Sequence, residues 1–128
     1  MNAEVKEVVI NGKTYVEKES GQAKQAEKID GLERVVIRSY GAGVFFGYLK
    51  EQKAELNGVN VVLLRSRRIY YWDGACSLTQ IAMEGTKSPQ NCKITEAIEK
   101  QFIANVIEIL PLTEMASKNL DEVKLWKK

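Results

Sequence analysis

The chain has 128 residues, 45% of them hydrophobic, and 19 basic against 17 acidic side chains give a net charge of +2. That length suits a single domain with a real core, and the balanced charge excludes a general nucleic-acid coat or a membrane-surface protein. There is no histidine, which removes Ser-His-Asp and Cys-His catalysis and every histidine-based zinc site.

Residues 8–16 read as a β-hairpin, because Asn11-Gly12 supplies the two positive φ angles of a type I′ turn. Residues 17–31 are polar, with Ile29 their one large apolar side chain, and read as a linker after the hairpin. Strands follow at 34–40 and 44–50. Between them Gly41-Ala42-Gly43 marks a tight turn or a close approach to the backbone, and it lacks the following helix of a dinucleotide fingerprint. Asn57-Gly58 is another turn signal. Residues 59–64 form a third strand, and 67–72 continue it or form a fourth, closed by Asp73-Gly74.

Ser77-Leu78-Thr79-Gln80 is a capping box. It opens a short helix with Leu78, Ile81 and Ala82 on one face and Gly85 as its stop. Residues 86–93 are loop. Residues 96–110 are helix-compatible in their first half and strand-like from Phe102 to Leu110, before Pro111. Thr113 caps a last helix, on which Leu112, Met115, Ala116, Leu120 and Val123 recur at three-to-four spacing. The predicted class is α+β over residues 1–128: an antiparallel sheet with an N-terminal hairpin, one short helix and a C-terminal helix.

The run Arg65-Ser66-Arg67-Arg68-Ile69-Tyr70-Tyr71-Trp72 carries the most chemistry. Guanidinium forks match phosphate oxygens with paired hydrogen bonds, and aromatic faces stack on bases. The competing reading is structural, since strands favour aromatic residues and arginine stems lie along apolar faces. A regular strand puts Arg65, Arg67, Ile69 and Tyr71 on one face and Ser66, Arg68, Tyr70 and Trp72 on the other. A buried guanidinium needs a partner, and Asp73, Glu84 and Glu108 are internal candidates for an ion pair. In the loop that follows, Asn91 is suited to a base edge or ribose hydroxyl and Lys93 to a phosphate. The alternative is that Asn91 caps its own backbone.

The candidate ligand-binding residues are therefore Arg65, Arg67, Arg68, Tyr70, Trp72 and Asn91, with no catalytic or metal-ligating residue. No pair of carboxylates has the spacing of an acid/base site. Cys76 and Cys92 form no C-x-x-C pair and are too few for a four-sulfur site. The charged N-terminus shows no signal peptide, and no run approaches the ~20 apolar residues of a membrane helix. The expected setting is a soluble cytoplasmic protein with reduced thiols, and neither enzymatic activity nor a cofactor is expected.

The segments 35–49, 66–75, 77–85 and 106–111, with 10–16 at the N-terminus, resemble small phage-encoded proteins. In layout the chain from residue 5 to about 126 is similar to the phage Thoeris anti-defence protein 1 family, and the Arg67-Arg68-Ile69-Tyr70-Tyr71-Trp72 run is the specific part of that likeness. The resemblance implies a β-sheet protein with a C-terminal helix that assembles into a homo-oligomer in the host cytoplasm. It implies sequestration, without degradation, of a cyclic ADP-ribose isomer, and in some members of cyclic oligonucleotides. Arg67, Arg68, Trp72 and Asn91 are the residues it carries over, and the expected pocket lies between protomers. Neither a membrane nor double-stranded nucleic acid is an expected partner. The rival classes are a single-stranded nucleic-acid binder and a phage assembly or protein-interaction module, in which the aromatic run is an interface.

Overall fold

The computed structural model describes residues 7–10, 13–16, 23–56 and 58–128. β1 (Glu7–Ile10) and β2 (Lys13–Val16) pair antiparallel as a separate two-stranded sheet, with Ile10 opposite Lys13. The Asn11-Gly12 turn and residues 17–22 of the polar stretch lie outside the described residues. The later part of that stretch runs beside the final helix. The Lys24 carbonyl accepts from the Glu114 amide at 2.8 Å, and the Ala26 amide donates to the Leu112 carbonyl at 3.0 Å.

The body is an antiparallel five-stranded sheet of β3 (Arg34–Ser39), β4 (Gly43–Glu55), β5 (Gly58–Tyr71), β6 (Lys93–Ile94) and β7 (Ile98–Pro111), in the order β4-β3-β7-β5-β6. β4 also pairs with β5, so β3, β4, β5 and β7 close into a ring. Side-chain alternation then separates two cores. Val35, Ile37, Phe45, Val61, Leu63, Ile103 and Val106 fill the ring from all of its strands. Val36, Val44, Phe46 and Ile69 belong to a second core built with the helices.

Closing so few strands demands sharp bending, which the register shifts supply. Along β5, Leu64 is opposite Tyr48 but Arg67 is opposite Phe46. The extra residue is absorbed at Arg65, which takes the left-handed conformation at φ 52. Opposite it, a Cβ on Gly47 would sit 2.9 Å from the Leu64 carbonyl oxygen and 3.1 Å from Ser66 Cα. Only glycine allows the two backbones to approach this closely. Ser66 is fully buried here, and its hydroxyl oxygen has no partner.

β7 corrects one sequence expectation. The helix-compatible first half of residues 96–110 is strand, because Lys100 pairs with Leu64 and Phe102 with Val62 across β5. Bonding to a distant neighbour overrides local helix preference. Of the two alternatives for residues 67–72, continuation holds: they and residues 59–64 belong to one bulged strand that ends at Tyr71.

α1 (Leu78–Glu84) and α2 (Glu114–Asp121) begin where their caps predict. Ser77 Oγ accepts from the Gln80 amide, and Thr113 Oγ1 accepts from the Ala116 amide. Gln80 reaches back to the Cys76 amide at 2.9 Å rather than to Ser77 itself. Thr113 and Asn119 clamp the helices together. Thr113 Oγ1 donates to the Met83 carbonyl, and Asn119 bonds both the amide and the carbonyl of Thr86. Met115, expected on the buried stripe, is exposed, while Leu112, Ala116, Leu120 and Val123 are buried. No helix among the described residues is long and apolar enough to cross a membrane.

Candidate functional site

The bulge at Arg65 splits the arginine run. Arg65 is exposed and lines a shallow depression with Ile29, Asp30, Leu32, Tyr48, Leu64 and Glu99. From Arg67 to Ile69 the expected alternation resumes, and a second register shift between Ile69 and Tyr71 breaks it again, so that Trp72 packs on the same core as Ile69 rather than on the face of Arg68. Arg67 lies over the Phe46 ring, 5.7 Å from its centroid, on the helix-covered side. Arg68 lies over the Phe45 ring at 4.5 Å, on the side of the ring core.

Most of these side chains are engaged within the fold. Arg67 Nε donates to the Thr95 carbonyl at 2.7 Å. Burial lowers the Arg67 pKa, Asp121 nearby works against that shift, and Arg34 adds to it. Arg68 donates to the Ala42 carbonyl at 3.1 Å and reaches across the mouth of the ring between β3 and β4. Trp72 is half-buried against the helix-side core, and its indole N–H donates to the Ala75 carbonyl. Asn91 Nδ2 donates to Asp73 Oδ2 at 3.0 Å, so its amide ties the 3-10 turn Pro89–Asn91 back to the end of β5.

The carboxylate partners expected for this run go elsewhere. Glu108 pairs with Arg38 at 3.0 Å, and Asp121, which was not among those candidates, holds the buried Arg34. Asp73 serves the loop, accepting from Asn91 and from the Gly74 amide. Arg67 and Arg68 each donate one hydrogen bond to a main-chain carbonyl instead.

Arg65, Arg68, Tyr70 and Tyr71 are the exposed members of the run, and of these Tyr70 makes an aromatic stack. Its partner is Trp126, with ring centroids 5.0 Å apart and planes inclined by 14°. The C-terminal segment is held there by main-chain bonding. Leu125 bridges to Ile94 of β6 in parallel, and the Trp126 amide donates to the Ile94 carbonyl at 2.9 Å. The Lys93 ammonium lies 5.5 Å from the Trp126 ring centroid, within cation–π range. Lys127 bonds Glu96 at 3.1 Å. Beside Trp126, a groove of about 320 Å³ is lined by Pro89, Gln90, Cys92, Lys124, Leu125 and Lys127. The thiols play no joint role: Cys92 is buried, Cys76 is exposed, and both are free.

Chemically this surface offers an aromatic stack with ammonium groups around it, which suits a planar, anionic ligand. Among the described residues no cluster of His, Cys, Asp and Glu is placed to hold a metal ion. Residues 32–120 match the family described as Domain of unknown function (DUF6948). The chain belongs to that family. Neither a curated protein nor a solved structure matches it. The family segment includes the ring, Tyr70 and Lys93, and it stops at α2, before Trp126.

Sequence reasoning placed Tyr70 and Lys93 near a ligand and missed Trp126. The available signal was a lone tryptophan in the otherwise basic tail Lys124-Leu125-Trp126-Lys127-Lys128. A chain end of that composition reads as solvated unless something for the indole to stack on is known.

Proposed function

We propose that the domain binds a nucleotide on the Tyr70–Trp126 surface and retains it without converting it. The observation that carries this reading is the parallel Tyr70–Trp126 stack with the Lys93 ammonium over its indole face. Stacking a base on such a surface contributes about 1–3 kcal/mol. Lys93 and Lys124 then meet the phosphates. In its specific form the ligand is a cyclic nucleotide signal, a cyclic ADP-ribose isomer or a cyclic oligonucleotide. A phage protein would sequester it in the host cytoplasm as an anti-defence factor, in keeping with the family resemblance of the arginine-aromatic run.

Sequestration needs tight binding, and nanomolar affinity corresponds to about −12 kcal/mol. Ligands held that firmly have most of their surface enclosed. The groove beside Trp126 is open, so this form of the proposal calls for a second copy of the chain to close over the ligand. Titration calorimetry against cyclic ADP-ribose isomers and cyclic di- and trinucleotides tests it. The expected result is one ligand per two chains, recovered unchanged on denaturation. Trp126→Ala should weaken binding by about tenfold or more, which is 1.4 kcal/mol. Binding at full strength by Trp126→Ala, or no binding of any of these nucleotides, overturns the assignment.

The open groove favours one second reading, a single-stranded nucleic-acid contact. Affinity for oligonucleotides would then rise with length and fall steeply with salt, and cyclic nucleotides would bind weakly.

A further inference from the structure

The ring leaves a length of strand with a bare edge. β7 pairs with β3 only from Val106 onward, and between Ile98 and Ala104 its described partner is β5 alone. At the far end of that stretch, the Ala104 carbonyl accepts from Ser39 Oγ at 2.8 Å. Next to the edge lies a groove of about 340 Å³, bounded by Glu51, Lys53, Asn60, Val62, Phe102 and Ala104. Phe102 is 72% exposed and Ile98 50% exposed. Strand edges are ordinarily blunted by proline, bulges, short length or charged side chains. Within this strand no proline falls before Pro111, and the left-handed Asn105, at φ 55, comes only after the open stretch, so Glu99 and Lys100 are the charges that a pairing has to accommodate.

We infer that this edge is the contact with a second copy of the chain, formed by antiparallel pairing of β7 with β7 across a two-fold axis through Gln101. The axis stands perpendicular to the sheet, so each residue must face one whose side chain lies on the same side. Centring on Glu99 or Lys100 sets a like-charged pair face to face. Centring on Phe102 calls on Val106, which β3 already occupies. Centring on Gln101 spans the open stretch from end to end and opposes no like charges. It sets Ile98 against Ala104, Lys100 against Phe102 and Glu99 against Ile103, with Gln101 meeting its own copy. The Lys100 ammonium already lies 5.3 Å from its own Phe102 ring. In the dimer each lysine faces the other copy's phenylalanine, so charge and aromatic face are matched across the axis. The two grooves then flank one continuous sheet. This inference does not rest on the nucleotide reading, because neither Tyr70 nor Trp126 is part of this edge.

Paired Cα atoms in an antiparallel ladder lie about 4.5–5.5 Å apart, within disulfide range. In a Cys76→Ser background, Gln101→Cys should form an intermolecular disulfide on mild oxidation, and Glu99→Cys should not. Sedimentation equilibrium of the unaltered chain should give a dimer. Phe102→Lys, at an exposed position, should give a monomer with an unchanged far-UV circular dichroism spectrum. Three results overturn the interface: a chain that is monomeric at every concentration, a dimer unaffected by Phe102→Lys, or equal cross-linking at positions 99 and 101. Cyclic nucleotide binding by a monomeric chain would remove this interface and leave the Tyr70–Trp126 surface standing without its closure by a second copy.

Discussion

Arg34 is the most heavily supported side chain in the described body. Its guanidinium makes paired hydrogen bonds to Asp121, both at 2.8 Å, and a third to Ser117 Oγ at 2.7 Å. The Phe46 and Tyr48 rings flank it at 5.1 and 5.2 Å. The arginine is 7% exposed, whereas the Asp121 side chain is 52% exposed. Water thus tempers the ion pair from one side only, and removing the carboxylate strands a buried cation. Asp121→Ala should cost about 2–3 kcal/mol, below the range for a pair buried on both sides. A urea midpoint that falls with an unchanged m-value would register it. In the sequence Arg34 was only the first residue of a strand, because its partner lies 87 positions away. Arg67 and Arg68 stood out in the same sequence, and their composition was a sound pointer to the region. Their main-chain carbonyl partners could not be read there, because those carbonyls arrive from the β3–β4 turn and from the residue after β6, 26 and 28 positions away.

At the scale of elements, legibility followed locality. Both helix caps were readable because the cap and its amide partner are three residues apart. The antiparallel partners on either side of each Asn-Gly pair, β1 with β2 and β4 with β5, are those that a tight turn between them implies. The strand β5 was not readable, because strict alternation hides a bulge. Moving Arg65 out of phase sends Ser66 inward and parts Arg65 from Arg67. The bulge and Gly47 form a matched pair of features, one lengthening β5 and the other admitting its carbonyls against β4. Gly47→Ala should therefore destabilise by about 1–3 kcal/mol through overpacking, since the atoms it would meet are backbone and cannot turn aside. Chemical denaturation with circular dichroism as the probe checks this, and a change below half a kilocalorie would mean that the strands can separate at the bulge.

For the whole molecule, ring closure joins the two cores. Neighbouring residues on one strand serve different cores, as Val35 and Val36 do on β3 and Phe45 and Phe46 on β4. Neither core can be lost without breaking strands that hold the other. Unfolding of the body is therefore expected to be a single transition, with far-UV circular dichroism and tryptophan fluorescence giving the same midpoint. Separate midpoints would show the helix-side layer melting ahead of the ring. Closure also joins segments distant in the chain, β3 with β7 and β5 with β7. Refolding should accordingly take milliseconds to seconds rather than microseconds.

The sequence by itself determined the fold class, most strand positions, both helix starts and the absence of histidine chemistry. These depend on side-chain period, capping and composition, which act over a few residues. Tertiary structure alone decided the ring, the extension of β7 and the bulge at Arg65. It also decided which members of the arginine-aromatic run stay available. Arg67 and Trp72 are drawn into the fold because half-buried polar groups must find partners, while Arg68 and Asn91 make their bonds at the surface. Tyr70 stays presented because the chain's end folds back along β6 and sets Trp126 against it. That contact joins residues 56 positions apart, a separation at which only packing decides who meets whom.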